Sequence, residues 1–192
     1  MDERKWIERI LAGDTQSFSC LVAKYEKMAY TIALRILENR EEAEEAVQDA
    51  FVKMYRALSD FHFDSKFSTW FYRIVYRTAL TALRQQRMFV SYEEAGPVDL
   101  SNDEVESATA LLEREDRKEM IARTLKKLPA DEALLLTLYY LEECSVEEIC
   151  QITELSASNV KVKLFRGRKR FYEVLQAVSY THLRAHETDS YL

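Results

Sequence analysis

Residues 61–87 read FHFDSKFSTWFYRIVYRTALTALRQQR, and six aromatic rings (Phe61, Phe63, Phe67, Trp70, Phe71, Tyr72) fall within twelve residues of its start. From Ser65 to Val90 the chain carries Lys66, Arg73, Arg77, Arg84 and Arg87 and no carboxylate, in a protein whose formal net charge is -6. Rings beside guanidinium groups suit single-stranded nucleic acid: each stacked base contributes about 1–3 kcal/mol while the cations neutralise phosphates. Opening a duplex takes on the order of 1.4 kcal/mol per base-pair step, so two captured bases would offset much of a short bubble. A second basic stretch, 155–172, holds Lys161, Lys163, Arg166, Arg168, Lys169 and Arg170, again without acids. Ahead of it, Ser145 and Glu148 have the spacing of a capping box, and Ser156 is placed to cap a longer helix. Two helices joined by about three residues, the second of them basic, is helix-turn-helix geometry. That places Ser156, Ser158, Asn159, Lys161 and Lys163 near base edges or flanking phosphates, with Arg166, Arg168, Lys169 and Arg170 further along the backbone.

Other chemistries find poor raw material. His62 is the sole histidine before residue 177, and no ordered set of His, Cys, Ser and carboxylate accompanies a Gly-rich loop, which argues against an enzyme. His182 and His186 have the i, i+4 spacing of a zinc pair but lack the Glu and third ligand of a zinc-protease pattern. Cys20, Cys144 and Cys150 are scattered with no CxxC pair, so they read as core-like free thiols rather than metal ligands. Neither a metal nor a cofactor is expected.

With 3 Gly and 2 Pro against 31% charged residues, the chain has few of the punctuators that sheets need, and it reads as all-α. Helical periodicity runs through Trp6–Leu11, then from a cap at Asp14 through Phe18–Ile36, and then from about Glu41 to Leu58. On this third helix Glu41, Glu45, Gln48 and Asp49 surround a Val52 expected to be exposed, the pattern of a charged rim around an apolar anchor for a basic partner helix. After the break SDFHFDSKFS a fourth helix begins. On its wheel Phe67, Phe71, Ile74, Val75, Thr78 and Ala82 form one face, while Lys66, Arg73, Arg77 and Arg84 fall within about 40° of each other on another that is expected to face outward. Residues 91–107 contain Gly96, Pro97 and many acids and read as a linker; helices follow near 108–127 and 130–141. The organisation is therefore 1–90, a linker at 91–107, 108–176, and a tail at 177–192 that has no apolar period and is set aside as non-native or disordered. No apolar run reaches transmembrane length and the start lacks a signal-peptide core, so a cytoplasmic protein is expected.

These segments, in this order, resemble the extracytoplasmic-function (group IV) sigma factors of bacterial RNA polymerase, over about residues 15–175. EEAEEAVQDAFVKMYRAL is similar to the family's region 2.2, FHFDSKFSTWFYRIVYRTALTALRQQR to its regions 2.3 and 2.4, and SVEEICQITELSASNVKVKLFRGRKR to its region 4.2. The resemblance implies a non-enzymatic initiation factor that binds core RNA polymerase through Glu41, Glu45, Gln48, Asp49 and Val52. It implies that Phe61, Asp64, Lys66, Trp70, Arg73, Arg77 and Arg84 engage the single-stranded minus-ten element, with Phe61 and the loop to Lys66 holding an everted base. Ser156, Ser158, Asn159, Lys161, Lys163, Arg166 and Arg168 would engage the duplex minus-thirty-five element, and an anti-sigma factor is a further implied partner. The departures from the pattern are Arg77, where the family often has Asn; the absence of the usual acidic residue a few positions on, with Thr81 and Ala82 nearby; Glu154, where the helix-turn-helix turn commonly has Gly; and Asn159, where the second helix usually has Thr. The competing reading is a stand-alone helix-turn-helix regulator, which leaves the acidic 41–58 face and the 61–72 rings without a role.

Overall fold

Three long helices frame the first half, and each owes its length to an apolar stripe at helical spacing. The computed structural model describes residues 3–90 and 112–188, with side-chain surroundings for 3–86 and 119–176, and no strand occurs among the described residues. The first four helices are α1 (Glu3–Leu11), α2 (Gln16–Leu37), α3 (Arg40–Arg56) and α4 (Phe67–Val90). Asp14 performs the capping expected of it: its carboxylate accepts from the Gln16 N–H at 3.0 Å and from the Ser17 hydroxyl at 2.9 Å. Between α2 and α3, Glu38 turns through the left-handed region (φ 55°), and the Asn39 side chain accepts from the Glu42 N–H at 3.2 Å, so the new helix starts at once. Ile7, Leu21, Ile32, Met54, Phe71 and Val75 are fully enclosed where the four helices meet. The break before α4 is a single 3-10 turn, Leu58–Asp60, followed by irregular chain to Lys66.

The second half comprises α5 (Leu112–Lys126), α6 (Ala130–Tyr140), α7 (Val146–Thr153) and α8 (Ala157–Thr188). Every residue from Glu132 to Leu138 is buried, so α6 is covered all round rather than along one stripe. Within its own unit α6 lies against α8, and the closeness depends on Gly167: a Cβ there would lie 3.3 Å from both Glu132 Cβ and Leu136 Cδ1.

The other side of α6 packs on α2, and α7 lies along α4. The two halves therefore share one continuous apolar core, and Arg35 of α2 donates to the Leu125 carbonyl of α5 at 3.2 Å. This contact between units has no counterpart in the sequence reading, which joined two separate bundles by a linker. That linker, 91–107, lies outside the described residues. Two further expectations change. The helix through 157–176 continues to Thr188, into the stretch set aside as a tail. Cys20 is exposed on α2, whereas Cys144 is buried and Cys150 half-buried. No helix of the described residues is long and apolar enough to cross a membrane.

Candidate nucleic-acid interface

The rings at the start of α4 divide into a floor and a rim. Phe61 is only 6% exposed, with its ring centroid 5.0 Å from Trp70, 5.5 Å from Phe67 and 4.8 Å from Phe63. The expectation that Phe61 stacks on a base is therefore corrected. The break in helix folds it inward, where it supports its neighbours. Phe63 takes the outer position at 40% exposure, with the Arg4 guanidinium 4.9 Å above its ring. It holds φ 62°, a left-handed conformation that costs a non-glycine residue about 1 kcal/mol or more, so packing of the loop must hold it there. Beside it an open pocket of about 250 Å³ is bordered by Glu3, Arg4, Ile7, Phe61, Phe63 and Lys66. Sequence reasoning counted Phe63 among the rings without assigning it a site, and it missed Arg4, because neither lies on the α4 wheel. Asp64 is exposed and Trp70 half-buried.

The cationic stripe of α4 forms as the wheel places it, but it does not face open solvent throughout. Arg77 donates through Nε to Glu154 Oε1 at 2.9 Å, with its Nη2 on the same oxygen, and Arg73 Nε lies 3.9 Å away from that oxygen. Lys66 Nζ pairs with Glu148 at 3.0 Å, and the Thr69 hydroxyl donates to Glu148 at 3.4 Å. Further along, the Tyr72 hydroxyl donates to Glu142 at 2.7 Å. Arg77 chiefly, with Arg73, holds the Glu154 carboxyl below the usual glutamate range. Partial burial opposes the charge on Glu148, but the Ser145 N–H, Lys66 and Thr69 outweigh it and lower its pKa. Burial, with Glu142 alongside, pushes the Tyr72 phenol well above its ordinary value. Lys66, Arg73 and Arg77 are exposed, as the wheel predicts, but they also meet carboxylates of the second unit. Arg84 is exposed and makes no ion pair among the described residues.

The second basic segment has the expected local construction. Ser145 accepts from the Glu148 N–H at 3.2 Å and Glu148 returns the bond to the Ser145 N–H at 2.8 Å, completing the capping box. Glu154, Leu155 and Ser156 make the three-residue turn, and Ser156 Oγ accepts from the Asn159 N–H at 3.4 Å. Ser156, Ser158, Asn159, Lys161 and Arg166 are exposed. Lys163 is not free to face a groove as expected: Asp131 of α6 holds its ammonium. Arg170, expected on the DNA backbone, instead contacts both oxygens of buried Glu132 at 3.2 Å. Arg168 is exposed but donates to the Leu164 carbonyl at 3.2 Å and reaches the Tyr140 hydroxyl at 3.5 Å.

On α3, Glu41, Glu45, Gln48 and Asp49 are exposed, and Val52 is 48% exposed as its surroundings suggested. Tyr55, one turn on, is 47% exposed and extends the apolar anchor; its ring meets Phe18 edge-on at 5.2 Å. The i, i+3 spacing from Val52 was the signal that could have found it.

Two family matches fall on the two packed units. Residues 21–88 match the family described as Sigma-70 region 2, and residues 118–171 match Sigma-70, region 4. The RNA polymerase sigma-H factor of Pseudomonas aeruginosa is 32% identical over 181 residues, covering 91% of this chain and 94% of the relative. The ECF RNA polymerase sigma-E factor of Escherichia coli K12 is 31% identical over 170 residues, covering 85% and 88%. Among solved structures, the sigma factor RpoE of Bartonella quintana, bound to the anti-sigma factor NepR, is similar with a TM-score of 0.68 at 18% identity, over 84% of this chain and 98% of that one. CnrH in complex with the cytosolic domain of CnrY gives a TM-score of 0.60 at 21% identity, over 91% and 97%. At these identities the two structures establish a shared fold.

Proposed function

Because the chain belongs to the extracytoplasmic-function branch of the sigma-70 family, and so binds core RNA polymerase and directs promoter-specific transcription initiation, we propose which of its residues carry each part of that work. Residues 1–90 form the unit that engages polymerase and the minus-ten element, 91–107 the linker, and 108–176 the unit that reads the minus-thirty-five element. Glu41, Glu45, Gln48 and Asp49, around the exposed side chains of Val52 and Tyr55, dock on a basic surface of the polymerase. The apolar anchors supply contact area and the acids supply register.

Single-stranded minus-ten DNA is captured at the mouth of α4, where Phe63 and Trp70 offer ring faces and Arg4 and Lys66 offer charge. Arg73, Arg77 and Arg84 follow the phosphates along the helix. Asn159 and Lys161 read the minus-thirty-five groove, with Ser156, Ser158, Arg166 and Arg168 at its margins. The chain has no part in bond-making; it positions DNA for the polymerase in the cytoplasm, and an anti-sigma factor is a fitting antagonist.

The observation that carries this reading is the exposed edge Asn159–Lys161–Arg166 on a helix that starts after a three-residue turn. Run-off transcription with core polymerase on fragmented genomic DNA tests it. The wild-type chain should initiate at a defined set of sites, Phe63→Ala should bind polymerase normally yet open those promoters poorly, and Lys161→Ala with Arg166→Ala should lose sites that depend on the upstream element. Equal yields from all three proteins at the same sites would overturn the residue assignment.

A further inference from the structure

Helix α1 lies ahead of residue 21, where the first family match begins, yet its first turn grips the aromatic cluster at two places with consecutive residues. Glu3 accepts from the Tyr25 hydroxyl and from the Lys24 ammonium of α2. Tyr25 belongs to the floor of the cluster, its ring 5.3 Å from Phe67 and 6.0 Å from Phe71. Arg4 reaches the rim instead, where its guanidinium lies 4.9 Å from the centroid of Phe63. We infer that Arg4 is a positioning residue for promoter capture, holding Phe63 in the conformation that presents its ring, while Glu3 anchors the helix that carries it. The inference rests on the assignment of the Phe63 and Trp70 mouth to single-stranded DNA.

Phe63 needs such a hold. It sits at φ 62° in irregular chain between Asp60 and Phe67, and at that angle a Cβ crowds the following carbonyl oxygen. Two contacts oppose its return to ordinary backbone, the Phe61 ring at 4.8 Å and the Arg4 cation. The first is fixed by the floor, since Phe61 is itself buried against Phe67 and Trp70. The second is fixed by α1. Glu8, one turn on, accepts from Arg4 Nε at 3.1 Å and so helps to aim the guanidinium. Ile7, fully buried, keeps the helix seated and borders the same pocket as Phe63. A cation on the ring of an exposed aromatic shifts an equilibrium by roughly two- to fivefold, enough to bias a strained loop.

A guanidinium beside the path of DNA would also serve as a plain phosphate contact, and the two roles differ in what they predict. The geometry favours the ring. Arg4 Nε is engaged by Glu8 and its central carbon lies over Phe63, while the Glu3 carboxylate borders the same pocket and disfavours a phosphate there. A phosphate contact to a single strand shows in the slope of log affinity against log salt, at about 0.7 for each contact. A positioning residue leaves that slope nearly alone, and its effect disappears once the side chain it positions is removed. The backbone around Phe63 would also open more often without it, which amide exchange reads directly.

The test uses the full chain. Hydrogen exchange of the loop 60–66 is followed in the free protein. Affinity for a fluorescein-labelled single-stranded 30-mer of mixed sequence, and its salt slope, are measured for the chain bound to core polymerase, with core polymerase alone as the blank. Arg4→Ala should speed loop exchange and weaken 30-mer binding, each by roughly two- to fivefold, with the slope changed by much less than about 0.7. Exchange within α1 should stay at the wild-type level. Arg4→Lys, which keeps a cation at the ring, should recover most of both losses, whereas Arg4→Gln, which keeps much of the stem without the charge, should recover neither. In a Phe63→Ala background, adding Arg4→Ala should weaken binding no further. Unchanged loop exchange in Arg4→Ala overturns the inference, as does exchange raised equally throughout α1, because an unseated helix then suffices. So does an additive loss in the double variant with the slope lowered by about 0.7, which would make Arg4 a phosphate contact. Wild-type 30-mer affinity in Phe63→Ala overturns instead the assignment of the mouth to DNA, and loop exchange still decides whether Arg4 holds Phe63.

Discussion

The two cationic helices neutralise themselves in different ways. On α8, Lys163 is held by Asp131 and Arg170 by Glu132, both from the first turn of α6 in the same unit. On α4, Lys66, Arg73 and Arg77 find their partners in Glu148 and Glu154, about eighty residues away in the other unit. The first arrangement is part of the fold and persists as long as the unit is folded. The second joins two units that also share an apolar core, so it opens only if they part while each stays folded. An arginine-rich helix is thus not one kind of object: where its counter-charges come from decides whether its cations are structural, permanently available, or conditionally available.

Breaking the conditional set should have the largest effect. If Arg73 and Arg77 contact DNA as proposed, Arg73→Ala with Arg77→Ala removes two charge-assisted contacts, so promoter opening by the polymerase complex should fall about 100-fold, at about 1.5 kcal/mol for each contact. Permanganate footprinting of the minus-ten region reads this directly. The same variant should expand the free protein, since Glu154 loses both of its partners. Near-normal opening would place these arginines among the structural cations after all. Breaking the structural set should act on stability instead. Arg170→Ala leaves Glu132, 8% exposed in its side chain, without its ion partner in a tight α6–α8 contact. Urea denaturation should show a loss of about 2 kcal/mol, with some of the penalty relieved by water entering the vacated space. If the variant melts like wild type but binds duplex DNA more weakly, Arg170 belongs with the DNA contacts.

Within α8 the division is finer and the effects smaller. Lys161 is exposed and makes no close ion pair among the described residues, with Glu147 its nearby charge, whereas Lys163 is tethered to Asp131. Lys161→Ala should lower the slope of log affinity against log salt by up to about 0.9 for the minus-thirty-five duplex, the value for one lost phosphate contact. Lys163→Ala should change it by much less. Equal changes in a filter-binding titration would show that the Asp131 contact gives way on DNA.

Much of this was legible in the sequence because it is local. Caps at Asp14, Ser145 and Ser156, the apolar period of each helix and the three-residue turn depend on neighbours within a few positions, and spacing alone can express them. The α4 wheel likewise sorted Phe71 and Val75 inward and Arg84 outward. What stayed hidden depends on chain that is far away. Phe61 turns inward because the loop before α4 folds back toward α1, which no wheel describes. Lys163 and Arg170 look like their neighbours Lys161 and Arg166 until α6 supplies acids beneath them. The acidic stretch 142–154 was visible as composition, yet nothing in periodicity says that it faces 65–90. Charge complementarity between distant segments, five acids against five bases with no admixture in either, was the signal available.

The smallest expected effect separates the two modes of neutralisation by pH. Glu148 and Glu154 both titrate below the ordinary 4.5 where α7 packs on α4, with Lys66 and Thr69 facing the first and Arg77 and Arg73 the second. A carboxylate whose pKa is lowered on contact contributes stability that is fully present above 4.5 and is lost as pH falls through the lowered value. Lys66 has the opposite sign: its pKa is raised above 10.5, chiefly by Glu148, so its share is present below 10.5 and lost above the raised value. The α4–α7 contact should therefore hold at neutral pH and loosen as the solution is acidified below about 4.5, giving a modest rise in scattering radius. Because Glu154 is exposed, water and salt already screen much of its pairing, and the same rise should be obtainable by salt at neutral pH. Far-UV circular dichroism followed over the same titration should stay flat while the radius grows, because separating the units breaks no helix. Helix content that falls in step with the expansion would mean that the α4–α7 contact is part of the fold rather than a joint between two folds, and would place α4 in the same class as the α6–α8 pairing.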